Sequence, residues 1–272
     1  MTDDIACCIE PEDMKHLEWA SRHLEHPSLA ARISSLAGTP IDIAFQLLPR
    51  KAYRKIEKLA QRSISKALKV AISSLRNHDS RHSNTGLYQG MVAGSGAVGG
   101  LFGLYGLPFD LPVSTTLMLR SIAEIARSEG EDLSSTETQL ACLEVFALGG
   151  HSESDDAAET GYYGIRLALG WTVTHAAYYI ARHGLADGNA PILVSLIAVI
   201  SNRFGAVVGQ KTVAQLVPLV GAAGGAAINL TFMRHYQDMA RGHFLIRRLE
   251  RKYGKEIIKT TYENLCAQTS AV

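Results

Sequence analysis

Cysteine, net charge and strand-like alternation are all scarce in this chain of 272 residues, and each shortage closes off a class of protein. The four cysteines, Cys7, Cys8, Cys142 and Cys266, include one adjacent pair and no C-x-x-C. That spacing fits neither a zinc knuckle nor a disulfide framework, and it points to a reducing compartment. Lysine and arginine number 27 against 26 acids, so there is no basic field to draw nucleic acid and no acidic tail. The start, MTDDIACCIEPEDMK, lacks the basic segment and apolar run of a secretory signal, so a cytoplasmic protein is expected. G-x-S-x-G, GxxxxGK[ST] and H-E-x-x-H are missing as well. These absences leave nucleophile-elbow hydrolysis, P-loop phosphate chemistry and zinc-protease chemistry without support.

Strict apolar–polar alternation never runs beyond about four residues, and no repeat of about 20 to 50 residues is present. What is present is helical spacing, so the fold class expected is all-α: a single-domain helical bundle. Residues 1–85 read as an amphipathic N-terminal region and 86–272 as the helical core, the two together forming one structural domain. Pro11 with Glu12 and Asp13 opens a first helix that His26-Pro27 closes. From Arg50 to Arg76 an amphipathic helix sets Ile56, Leu59, Ile64, Leu68, Ile72 and Leu75 against a strongly basic remainder, with one acid at Glu57. Asn77 to Thr85 is a loop. Asp110 and Pro112 read as a helix start, Asp110 as its cap, with Gly130 as the stop. Ser134-Ser-Thr-Glu137 has the capping-box pattern for a helix over 135–148. A long or kinked helix comes next, from SESDDAAETGYYGIR, another starts after Pro191, and a last long one runs from about Pro218 to Gly254, with a short terminal helix beyond.

Hydrophobic residues reach 47%, yet mean hydropathy is only +0.05. Two uncharged windows, Ser83 to Phe109 and Thr212 to Met233, could span roughly 30 Å of hydrocarbon, but both are rich in Gly and Ala and so marginal for insertion. The first holds Gly94-Ser-Gly96-Ala-Val-Gly99, a literal G-x-G-x-x-G. No strand precedes it, and Gly103, Gly106 and Pro108 interrupt the helix that should come after it, so it is not a dinucleotide fingerprint. The glycines recur every four residues instead. Gly90 and Gly94, Gly99 and Gly103, and Gly221 and Gly225 are expected to be packing glycines that let helix backbones approach.

GLPFDLPVSTTLMLRSIAEIARSEGEDL, CLEVFALGG with SDDAAETGYYGIR, NRFGAVVGQK, and VPLVGAAGGAAIN with HYQDMARGHFLIRRLERKYG resemble successive blocks of the EcsC family, over Leu87 to Gly254. The resemblance implies a bacterial protein without an established reaction. It also brings in an ABC transporter as a partner, since the family takes its name from a protein encoded beside the subunits of such an exporter.

Acids and histidines cluster between Glu144 and Glu159, including His151, Asp155 and Asp156. They suit a divalent metal, or else they sit behind a serine cap at a helix start. Glu144 is apolar on both sides, and Arg120, Arg166 and Arg203 are similarly isolated, which suggests an internal ionic network. His235, Asp238 and His243 share part of one helix surface and form the candidate metal set; hydrogen bonds to neighbouring helices are the other reading. His175 reads as a core histidine and Cys142 as an inert buried thiol. The function expected is that of a membrane-associated accessory protein, cytoplasmic and peripheral to the inner membrane, with an anionic membrane surface as partner and no resident cofactor. The alternative is a metal-dependent hydrolase of lipid or peptide, built on those three residues and the acids from Glu144 to Glu159.

Overall fold

Glycine and proline set most of the helix ends in the computed structural model, which describes residues 9–25, 29–37, 49–75, 85–102, 106–150, 161–185, 190–215 and 221–270. Ten helices and no strand occur among them: α1 (Pro11–Glu25), α2 (Leu29–Ala37), α3 (Arg50–Ser74), α4 (Thr85–Phe102), α5 (Leu107–Ser128), α6 (Thr136–Leu148), α7 (Tyr162–His183), α8 (Pro191–Gln215), α9 (Gly221–Tyr253) and α10 (Lys255–Ser270). Gly130, Gly184 and Gly254 end α5, α7 and α9 at positive φ, where a side chain would be strained.

The centre of the bundle is α6. Every residue from Thr138 to Leu148 is buried, because α3, α5, α7, α8 and α9 all pack around it. A helix apolar on all sides has no face to give to water, so it becomes an axis. The most extensive pairing is between α4 and α9, and α9 also touches α1, α2, α5, α8 and α10. On α3 the apolar side, with Ile56, Ala60, Ile64, Ala67 and Leu68, is buried against α5, α6 and α8.

Several local expectations are corrected. Asp110 is not a cap: α5 begins after Gly106, Pro108 lies in its first turn, and the Asp110 side chain turns inward. The capping box at Ser134 does not form, since Ser134 bonds to the Asp132 carboxylate through both its backbone N–H and its hydroxyl (2.9 and 2.8 Å), and Ser135 makes no side-chain cap bond. Helix α7 starts at Tyr162, after an extended Gly161. Its first N–H donates to Glu25 of α1 at 3.0 Å, so a carboxylate 137 residues away neutralises that helix end. His175 is exposed, with its ring centre 4.2 Å from that of Trp171, instead of lying in the core.

The first uncharged window is not one continuous helix: Gly106 is a turn residue ahead of α5. In the second, the residues between α8 (to Gln215) and α9 (from Gly221) lie outside the described residues. Among the described residues one stretch, Pro191–Ala214, is long and apolar enough to cross a membrane, with mean hydropathy 1.9, but its most apolar part is 56% buried. Its packing against α2, α3, α6, α7 and α9 is that of a core helix.

The glycine rows also need correction. Gly86, Gly90 and Gly94 lie on the outer side of α4, where an added Cβ would meet nothing within 4 Å. The close approach occurs on the opposite face, at Gly96, where a Cβ would lie 2.5 Å from the Gly225 carbonyl oxygen and 2.6 Å from Asn229. Gly225 therefore does admit a neighbouring backbone, but to Gly96. The side-chain positions at Gly99 and Gly221, and Gly103 altogether, lie outside the described residues. Backbone cannot move aside as a flexible side chain can. Gly96→Ala is accordingly expected to cost about 1 to 3 kcal/mol by overpacking, while Gly90→Ala and Gly94→Ala should hold or raise the thermal midpoint. Equal melting temperatures for Gly96→Ala and the parent would contradict this.

Candidate functional site

Two buried polar clusters interrupt the apolar interior. The first joins α6, α7 and α9. Glu144 projects from the buried stretch of α6, and its Oε2 lies 4.0 Å from Nε2 of His243, itself wholly buried. His243 Nδ1 is 3.0 Å from the Tyr162 hydroxyl, and its Nε2 has no hydrogen-bond partner among the described residues. With the phenol as donor, Nδ1 accepts and the imidazole hydrogen sits on Nε2, facing Glu144. Burial pushes the Glu144 carboxyl up to about 7, against the pull of Arg166 and Arg247. Burial also pushes the His243 imidazole well below its ordinary value, with Arg166 and Arg247 adding to the effect. Both groups thus favour their neutral forms.

The arginines nearby are committed elsewhere. Arg166 forks onto Glu250 at 2.7 and 3.1 Å, and Tyr163 donates to the same carboxylate at 3.0 Å. Arg247 forks onto Glu131 at 2.9 and 3.1 Å, and Arg251 also reaches Glu131. Burial opposes ionisation of Glu131, but these two guanidiniums outweigh it and hold the carboxyl below the usual range. Two charged forks therefore flank one neutral acid. The arrangement is a phenol–imidazole–carboxyl row inside a helical interface, and the nearby Cys142 thiol is pushed up by burial and by Glu131, so it is no nucleophile.

The second cluster joins α4, α5, α8 and α9. Lys211 Nζ lies 2.7 Å from Asp110 Oδ2, with both side chains buried, and sits 5.0 Å from the centre of the Phe232 ring. Asp110 Oδ1 accepts from Ser95 and from Asn229, each at 2.9 Å, and Asn229 also donates to the Val92 carbonyl at 3.2 Å. Burial opposes the Asp110 charge, but Lys211, Asn229 and Ser95 together hold its carboxyl below the ordinary range. The pair sits beside the Gly96–Gly225 crossing, where missing side chains let Asn229 reach across.

Of the residues singled out in the sequence, the fold brings together Glu144, Arg166 and His243. It does not add His235 and Asp238. His235 is buried with Nε2 2.8 Å from the Gly149 carbonyl, and burial holds its imidazole down at about 4. Asp238 pairs near the surface with Arg32 and Arg241 at 3.3 and 3.1 Å. The metal set His235, Asp238 and His243 is therefore split among three different sets of partners, and among the described residues no group of three His, Cys, Asp or Glu could hold a metal ion. His151, Asp155, Asp156 and Glu159 lie outside the described residues. Arg203 donates to the carbonyls of Ala147 and Gly150 at 2.9 and 3.0 Å.

The EcsC protein family profile matches residues 12–249. The chain belongs to the EcsC family. No curated protein and no solved structure matches it. The match takes in α1 to α3, so in this EcsC chain the basic helix lies within the family region, N-terminal to the motif blocks of Leu87 to Gly254.

Sequence reasoning on this EcsC protein missed Lys211, Asn229, Glu131, Arg247 and Glu250. Lys211 carries the signal that exposed Glu144, a charge within a largely apolar helix. The other acids and arginines sit in charge-rich turns, where nothing local separates a buried partner from a solvated one.

Proposed function

We propose that this EcsC protein is a peripheral membrane accessory protein that docks on anionic lipid through the outer face of α3. One observation carries the reading: Arg50, Lys51, Arg54, Lys55, Lys58, Arg62, Lys66 and Lys69 are all exposed, and Glu57 is the sole acid on the helix. At about 100° per residue they occupy roughly 160° of the helix circumference, opposite the buried side. A groove of about 560 Å³ runs along this face, lined by Lys58, Gln61, Arg62, Ser65, Lys66 and Lys69. Because the apolar side of α3 is spent on the core, attraction to headgroups, not insertion of this helix, supplies the binding. Each basic side chain near an anionic surface contributes about 1 kcal/mol, which salt screens. The cytoplasmic leaflet, where anionic lipid accumulates, is the surface this face suits. In that reading the chain serves a membrane complex, an ABC transporter being the one its family resemblance brings in.

The test is co-sedimentation with vesicles containing an anionic phospholipid. Binding is expected at low salt, weaker binding at high salt, and weaker still when Lys55, Lys58, Arg62 and Lys69 are replaced by Gln. A chain that stays in the supernatant at low salt would refute docking through α3.

A further inference from the structure

Four large apolar side chains on α4 and α5 stay exposed. Leu87 and Met91, one turn apart on α4, are 61% and 49% exposed, and Phe109 and Val113, one turn apart on α5, are 80% and 45% exposed. The Ser95–Asp110 hydrogen bond of 2.9 Å pins the two antiparallel helices near their junction. Met91, one turn before Ser95, therefore lies level with the turn after Asp110, which carries Val113. The four side chains form one outward stripe. No charge interrupts it: α4 has no Asp, Glu, Lys or Arg, and the only one in α5 before Arg120 is Asp110, which is buried on Lys211. α5 packs against α4 and also against α3, the helix that carries the eight exposed cations.

We infer that Leu87, Met91, Phe109 and Val113 insert into the acyl-chain boundary of the anionic membrane that α3 faces, an inference that rests on the reading of α3 above. Charge selects lipid as the occupant. A second copy docked stripe to stripe about a twofold axis would bring two cationic α3 helices toward each other, whereas anionic headgroups around the inserted side chains would neutralise that helix. A charged rim with an apolar centre is also the usual form of a surface that attracts by electrostatics and holds by burial. α7 carries another exposed group, Leu167, Trp171 and Tyr178, on a helix packed against α6 and α8, and it serves as an internal control.

The experiment places a reporter in the stripe of the full chain: Phe109→Trp in a Trp171→Phe background, leaving Trp19 as a constant baseline. Emission is read with and without anionic vesicles whose acyl chains are brominated. The expected result is a blue shift with loss of the added emission in vesicles, and an unquenched Trp171 in a Trp19→Phe control. Phe109→Ser with Met91→Ser should still bind at low salt, but should lose about tenfold or more of the binding that survives high salt. Vesicle-bound protein with an unquenched reporter at position 109 overturns insertion and leaves the α3 reading standing. Quenching at Trp171 in its place assigns contact to α7 and overturns it equally. A dimer seen by light scattering without lipid, and abolished by Phe109→Ser, gives the stripe to a second copy and also overturns it. Absence of low-salt binding is a different failure, that of the α3 reading, and the inference falls with it.

Discussion

Lys211→Met is expected to destabilise the fold by about 3 to 5 kcal/mol at neutral pH, a larger loss than at any other single position in the two polar clusters. The ammonium sits 2.7 Å from Asp110 with both side chains shielded from water, and removing it leaves a buried carboxylate on two neutral donors, Ser95 and Asn229. The loss comes from stranding Asp110 more than from losing attraction, which the double substitution exposes. With Asp110→Leu added, no buried charge remains, and most of the stability should return. pH supplies a second check. In the parent, the Asp110 carboxyl is held below its ordinary value, so its contribution is present above about pH 4 and is lost as pH falls further. Without Lys211 only the Ser95 and Asn229 hydrogen bonds oppose burial, the carboxyl shifts upward, and acid relieves the variant. The gap between parent and Lys211→Met in urea unfolding should therefore narrow from pH 7 to pH 5. A Lys211→Met variant within about 0.5 kcal/mol of the parent at pH 7 would show that the pair is hydrated and outside the core.

That pair also marks the limit of the sequence reading. The all-α class, the length of α3 and the stops at Gly130 and Gly254 were legible because each rests on local chemistry: a 3.6-residue period, or a glycine able to take positive φ. Asp110 was misjudged for the same reason. An acid beside prolines looks locally like a cap, and only the crossing with α8, 101 residues away, makes it half of an ion pair. Gly90, Gly94 and Gly96 share one helix and one composition, yet only Gly96 faces Gly225. Spacing tells which residues share a face, but not which face meets a neighbour. Glu144 could be found because α6 is apolar in every direction from Leu140 to Leu148, so a charge within that stretch had to be buried. His235 and His243 could not be separated from sequence: they lie two turns apart on α9, and one turns toward Gly149 while the other turns toward Tyr162.

Glu144→Gln is expected to remove one contribution to the pH dependence of stability, the loss that Glu144 brings between about pH 4.5 and 7. Burial raises this carboxyl from 4.5 to about 7, so the folded chain holds a proton that the unfolded chain has already released. The folded state is therefore favoured while Glu144 is neutral, fully so below pH 4.5, and that advantage is lost as pH rises through about 7. The difference corresponds to about 3 kcal/mol, so Glu144→Gln should match the parent at pH 4.5 and exceed its stability by about that amount at pH 8. The charged groups facing the site do not cancel this. Arg166 and Arg247 lower the carboxyl but are held by Glu250 and Glu131, Glu137 on the same helix raises it, and His243 is kept neutral by burial. His235 and His243 work in the opposite direction: the His235 imidazole is held at about 4 and that of His243 well below its ordinary value, so their contributions are lost as pH falls below about 6.5. The parent's stability should therefore peak in mildly acidic solution, while the curve for Glu144→Gln should keep only the acid-side loss. Subtracting the two unfolding curves isolates Glu144. A difference that stays flat from pH 4.5 to 8 would mean that the carboxyl is ionised throughout, and that His243 Nε2 is donating to a permanent charge across the 4.0 Å gap instead of facing a neutral acid.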